Sequence, residues 1–132
     1  MAEAPREFQV FAKPVGAVCN LDCAYCYYLA KLELYPGESH RMADDLLEEY
    51  IVQHIEASPR GDISFLWHGG EPTLLGLDYF RRIVELQRKH LPPGRRIVNG
   101  MQTNGTLLDE DWCRFLAAER FNIGLSLDGP PD

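Results

Sequence analysis

Ile63-Ser64-Phe65-Leu66-Trp67-His68-Gly69-Gly70-Glu71-Pro72 is the stretch that decides the fold. It begins with a short, largely apolar run of the kind that forms a buried strand, and a glycine pair closes that run. Leu77 to His90 then places Phe80, Ile83, Val84 and Leu86 on one helical face, with Arg81, Arg82, Arg88 and Lys89 on the other. Strand, glycine turn and amphipathic helix in this order make one βα unit.

The same rhythm extends in both directions. Upstream, Phe8 to Ala12 alternates apolar and polar side chains and stops before Pro14, which predicts a first strand. Met42 to Ala57 carries Leu46, Leu47, Tyr50, Ile51, His54 and Ile55 at helical spacing, with Asp44 and Asp45 near its start. Ser58-Pro59-Arg60-Gly61 ends that helix. Downstream, Leu91-Pro92-Pro93-Gly94 breaks the second helix, and Arg96 to Gln102 predicts a third strand that runs into Thr103-Asn104-Gly105. Asp109 to Glu119 predicts a third helix, its first turn acidic as the helix dipole favours. Asn122 to Leu127 predicts a fourth strand, ending in Asp128-Gly129-Pro130. Strands alternating with helices imply right-handed βαβ units and a parallel α/β sheet. In such sheets the loops leaving the carboxyl ends of the strands rise on one face.

The unusual motifs all fall on those loops. The first strand leads into Cys19-Asn20-Leu21-Asp22-Cys23-Ala24-Tyr25-Cys26, the second into His68-Gly69-Gly70-Glu71-Pro72, the third into Thr103-Asn104-Gly105. The fourth leads into Ser126-Leu127-Asp128-Gly129-Pro130. Cys19, Cys23 and Cys26 offer three thiolates to one metal centre, with no fourth cysteine nearby. A cubane iron–sulfur cluster held in this way keeps one iron open for a small ligand. The rival is a zinc site closed by His40 or His68, although the second short knuckle usual for structural zinc is missing. A disulfide is the weakest reading, because Met1-Ala2-Glu3-Ala4-Pro5 shows no apolar signal region and unexported thiols stay reduced.

Composition narrows the classes further. The chain has 132 residues, 45% hydrophobic and 25% charged, as expected of one ordinary globular domain. No run of about 20 apolar residues is present to span a membrane. A formal charge of −7 argues against a nucleic-acid partner, which would want a basic face. The last strand has no covering helix within the sequence, so the chain reads as the front part of a longer barrel-type protein.

These residues resemble the radical S-adenosylmethionine (radical SAM) superfamily. Cys19, Cys23 and Cys26 match its three-cysteine motif, with Tyr25 as the aromatic residue before the last cysteine, and Gly69 to Pro72 matches its glycine-glycine-glutamate-proline segment. The sequence is most similar to anaerobic sulfatase-maturating enzymes, through Cys19 to Tyr28, Gly69 to Gly76, Gln102 to Leu108 and Gly124 to Pro130. The resemblance implies the N-terminal part of a partial (β/α) barrel, C-terminally truncated. Residues 1–132 would be an incomplete core domain, without the auxiliary-cluster C-terminal domain.

It further implies a [4Fe–4S] cluster on Cys19, Cys23 and Cys26, with S-adenosyl-L-methionine on the open iron. Tyr25 would face the adenine, Gly70 and Glu71 would hold the methionine amino group, and Ser126 would touch the cofactor. Reductive cleavage of that cofactor yields a 5′-deoxyadenosyl radical, which in the sulfatase-maturating enzymes serves to oxidise a cysteine or serine of a sulfatase to formylglycine. The implied partners are that sulfatase, or another peptide, and a low-potential electron donor, in an oxygen-poor cytoplasm. The family's proton acceptor would lie beyond residue 132, and these residues alone are expected not to complete the reaction. A noncatalytic metal-binding module remains the alternative; such a site has no need of the Gly69 to Pro72 segment.

Plainer readings stand beside these. Glu71 could simply start a helix after a glycine turn, Tyr25 could pack beside Tyr27 and Tyr28, and Ser126 could be a polar strand end. Asn104-Gly105 reads as a tight turn, and Cys113, between Trp112 and Phe115, as a buried small side chain. His68 stands where close family members often carry glutamine.

Overall fold

The computed structural model describes residues 7–34, 37 and 41–130. His40, one of the two histidines weighed for zinc, lies outside the described residues. Four parallel strands form a single sheet in the order β1-β2-β3-β4: β1 (Phe11–Ala12), β2 (Ile63–Trp67), β3 (Ile97–Thr103) and β4 (Asn122–Leu125). The crossovers are α1 (Asp44–Ala57), α2 (Leu77–His90) and α3 (Glu110–Ala118). Trp67 pairs with Ala12 on one side and Met101 on the other, and Thr103 with Leu125, so the strands end nearly level.

The helices cover one face of this sheet. Along β2, Ile63, Phe65 and Trp67 are fully buried against Leu47, Ile51, Phe80 and Ile83, while Ser64 and Leu66 point the other way and stay accessible. An amide network secures α2 to the sheet. Trp67 Nε1 and Gln87 Nε2 both donate to Asn99 Oδ1 at 2.9 Å, and Asn99 Nδ2 donates to Gln87 Oε1 at 2.8 Å. Buried amides satisfied on both ends fix one packing register at little cost. No helix among the described residues is long and apolar enough to cross a membrane.

Four expectations need correcting, one of them the fourth strand, which ends at Leu125 and not Leu127. The predicted first strand shrinks to Phe11–Ala12, because Phe8 packs its ring edge-on against His54 at 5.6 Å instead of joining the ladder. The first helix starts at Asp44 and not Met42, whose N–H is drawn 2.7 Å to Pro14 O across the sheet edge. Cys113 is exposed. It follows Trp112, which with Leu116 fills the inner face of α3, and a step of about 100° per residue turns it outward.

Candidate active site

The four loop segments meet at the carboxyl end of the sheet, where main-chain bonds tie the first to the second. His68 N–H donates to Ala12 O at 2.8 Å, Gly70 N–H to Gly16 O at 2.8 Å, and Glu71 N–H to Val18 O at 2.7 Å. Approach this close excludes side chains. A Cβ on Gly70 would lie 2.0 Å from Val18 O, and Gly69 has φ 146°, a conformation that L side chains rarely adopt. The glycine pair thus lets the segment after β2 clamp the chain up to the residue before Cys19. With its N–H occupied, Gly70 can offer an ammonium group only its carbonyl, which is the polarity an ammonium requires.

Glu71 is buried, with 1% of its surface exposed. Its Oε2 accepts Thr73 N–H at 3.0 Å, Thr103 Oγ1 at 2.7 Å and the Thr73 hydroxyl, while Oε1 accepts Asn104 N–H at 2.7 Å. One carboxylate therefore caps the 3-10 turn Pro72–Leu75 and fastens the end of β3 to the end of β2. The plain reading of Glu71 as a helix starter is part of its work, and the link to β3 is the rest.

The cysteine loop lies over this platform. Cys19, Cys23 and Cys26 carry free, half-buried thiols, and a turn closed by Cys26 N–H to Cys23 O at 3.0 Å joins the last two. Among the described residues, no three His, Cys, Asp or Glu side chains converge closely enough to hold a metal ion. The donor chemistry nevertheless suits an iron–sulfur cluster: three thiols on one loop, beyond the last clamping bond at Glu71 N–H, where no strand holds the backbone. His68 does not turn toward them. Its ring packs on Phe11 at 4.7 Å, and burial, then the nearby Lys13 charge, hold its pKa below the ordinary imidazole value.

Tyr25 is 71% exposed and stands apart from the Tyr27–Tyr28 ring pair. Its hydroxyl donates to Asp128 Oδ1 at 2.6 Å, bridging the first and fourth loops. That bond to a carboxylate is the main cause pushing its pKa up to about 12. Ser126 Oγ accepts Gln102 Nε2 at 2.9 Å, which leaves its own O–H free to donate. Gly124 makes room for this bond, since a Cβ there would lie 2.1 Å from Gln102 Oε1. On the open face of the sheet Leu66, His68, Gly100, Gln102 and Gly124 line a shallow concavity of about 240 Å³. A larger cavity of about 580 Å³, lined by Phe8, His54 and Asp62, lies at the amino ends of the strands. Its lining includes none of the loop-motif residues.

Residues 14–132 match the Radical SAM superfamily. The chain belongs to this superfamily. Among its radical SAM relatives, the Serine-type anaerobic sulfatase-maturating enzyme of Bacteroides thetaiotaomicron is 46% identical over 124 residues, covering 93% of this chain. The Cysteine-type anaerobic sulfatase-maturating enzyme of Clostridium perfringens is 42% identical over 120 residues, covering 91%. The chain spans 30% and 32% of the lengths of these relatives. The solved structure "Native anSMEcpe with bound AdoMet" superposes with a TM-score of 0.78 at 43% identity, over 89% of this chain and 32% of that one. The parallel four-strand sheet with its helices thus has a radical SAM fold.

The loops are legible in the sequence, but the bonds that join them are not. Thr73 and Thr103 on Glu71, and the contacts of Asn20, Asn104 and Thr106 beside Cys19, carry no local signal. Their only trace is polar residues at loop positions, which most loops show.

Proposed function

We propose that the chain is the cluster-and-cofactor part of a radical SAM peptide-modifying oxidoreductase that converts a cysteine or serine of a sulfatase to formylglycine. The observation carrying this reading is the 46% identity to a sulfatase-maturating relative across 93% of the chain. It is supported by the meeting of all four loop motifs at one end of the sheet. Held here, a [4Fe–4S] cluster and S-adenosyl-L-methionine would supply radical chemistry able to remove hydrogen from the peptide.

The chain's own residues have distinct tasks in this reading. Cys19, Cys23 and Cys26 supply the thiolates, drawn together on a loop whose root is already clamped at Val18. The Gly70 carbonyl, its N–H being taken by Gly16 O, would hold the methionine ammonium. Glu71 Oε1, which accepts a single N–H among the described residues, keeps a lone pair for the same group. Tyr25 would contact the adenine side of the cofactor, and Ser126, whose O–H is free to donate, would touch the cofactor. A low-potential electron donor would serve it, with the cytoplasm as the setting. Relatives of both types match at 46% and 42%, so the oxidised residue is left as cysteine or serine.

The test is anaerobic reconstitution with iron and sulfide, followed by EPR of the reduced protein with and without S-adenosyl-L-methionine. A [4Fe–4S] signal altered by the cofactor is expected. Tight zinc binding with no cluster refutes the reading and favours a structural metal module. Mass spectrometry of cysteine- and serine-containing sulfatase peptides after turnover by the full-length protein then separates the two substrate types.

A further inference from the structure

Asn104 is not accounted for by any of these roles, and the sequence suggests only a turn. Its side chain is instead locked in one orientation by a closed ring of hydrogen bonds. Oδ1 accepts the Thr106 backbone N–H at 3.0 Å, and a backbone N–H can only donate, so the oxygen must face that way. The Thr106 hydroxyl also donates to Oδ1, at 2.8 Å. Asn20 Nδ2 donates to that hydroxyl at 2.8 Å, and Asn20 Oδ1 accepts from Asn104 Nδ2 at 2.9 Å. Each group in the ring acts in the one sense left to it. The second proton of Asn104 Nδ2 is then directed to Cys19 Sγ, 3.7 Å away. On the other side the Asn104 main chain is held by Glu71 Oε1.

We infer that Asn104 is a positioning residue for the cluster, donating a side-chain N–H to Cys19 Sγ and so raising the cluster's reduction potential. The inference rests on the reading that Cys19 ligates iron. Reduction adds negative charge that spreads onto the ligand sulfurs, and an N–H aimed at a sulfur stabilises the reduced state more than the oxidised one. Leu21 N–H also donates to Cys19 Sγ, at 3.4 Å, but only proline would remove that main-chain donor, and it would reshape the loop as well. Asn104 is the adjustable one. Because the ring spans Asn20 on the cysteine loop and Asn104 and Thr106 after β3, it also transmits the position of the β3 loop to the first cluster ligand.

The experiment is an EPR-monitored redox titration of the reconstituted protein without S-adenosyl-L-methionine, for wild type, Asn104→Ala and Asn104→Asp. Asn104→Asp keeps an acceptor for Thr106 N–H but sets a carboxylate beside the thiolate. The expected result is a lower midpoint in both variants, more so in Asn104→Asp. For Asn104→Ala the reduced-to-oxidised ratio at fixed potential should fall about tenfold, about 59 mV for one electron. A merely structural turn residue would leave the midpoint where it was, and an unchanged midpoint in both loaded variants overturns the inference. Should the variants not retain a cluster, the wild type decides. Protein made with asparagine labelled in its side-chain nitrogen must show coupling of that nitrogen to the reduced cluster in pulsed EPR, and no coupling overturns the inference. A wild type that takes up no cluster refutes the ligand reading itself, and this inference with it.

Discussion

Replacing Glu71 separates a loop fastener from a residue needed only for a ligand. In Glu71→Ala, the Thr73 and Asn104 backbone N–H groups lose their acceptor at a site 1% exposed, together with two threonine hydroxyls. The hydroxyls can rotate to other partners, whereas the backbone donors cannot. At about 1–3 kcal/mol for each unsatisfied donor, plus the space left by the side chain, the loss comes to about 3–5 kcal/mol. In Glu71→Gln one oxygen remains for the Oε2 donors, and the new NH2 meets the Asn104 N–H, one donor against another. That single clash costs about 2 kcal/mol. Urea denaturation of the apo-protein reads both directly: with slopes of about 1–3 kcal/mol/M, Glu71→Ala should lower the midpoint by roughly 2 M and Glu71→Gln by about half that. No cofactor is present in this measurement, so a ligand-only role predicts no change. A Glu71→Ala loss below about 1 kcal/mol at unchanged slope refutes the reasoning, as does a Glu71→Gln loss equal to it.

Three further outcomes follow from the same geometry. Gly70→Ala should destabilise by at least about 3 kcal/mol in thermal or urea unfolding, because the added Cβ meets backbone at 2.0 Å and backbone cannot swing aside. Tyr50→Phe should be neutral or stabilising by about 1 kcal/mol, since Tyr50 Oη is buried without a hydrogen-bond partner among the described residues; a loss above about 1 kcal/mol would mean the hydroxyl has a partner. His54 is buried and its pKa is held below the ordinary 6.5, so the unfolded chain takes up the proton first as pH falls. Its contribution is complete above about pH 6.5 and is lost as the pH drops through the lowered native value. The urea midpoint should fall as the pH is lowered from 7 through the ordinary imidazole value and below it, and His54→Gln should flatten that fall.

What could be read from the sequence is what short-range chemistry determines. β2 and α2 were predicted with their observed limits, Ile63–Trp67 and Leu77–His90, because an apolar run and a 3.6-residue period are each closed by glycine or proline. β1 was overextended because alternation makes a segment able to pair but does not supply the partner; Phe8 found His54 instead. Cys113 was misplaced because neighbours at adjacent positions on a helix face different ways, and Trp112 and Leu116 had already taken the inward direction. The loops of the candidate site were legible through their residue types. Their connections were not, since Asn20 and Asn104 are separated by 84 residues and Glu71 and Thr103 by 32, with nothing local to announce either pair.

The clamp between residues 12–18 and 68–71 has a consequence for how much the first loop can vary. Ala12, Gly16 and Val18 are each held by a particular amide, so the stretch from strand to first thiol works as a measured length. One residue inserted or deleted between Ala12 and Val18 would displace all three thiols together and leave an amide of His68, Gly70 or Glu71 facing the wrong neighbour. Beyond Cys26 no such bond among the described residues ties the loop to β2. Length changes that the protein tolerates should therefore collect on the far side of the thiols, and an engineer grafting this site onto another barrel would have to carry both clamped strands as one piece.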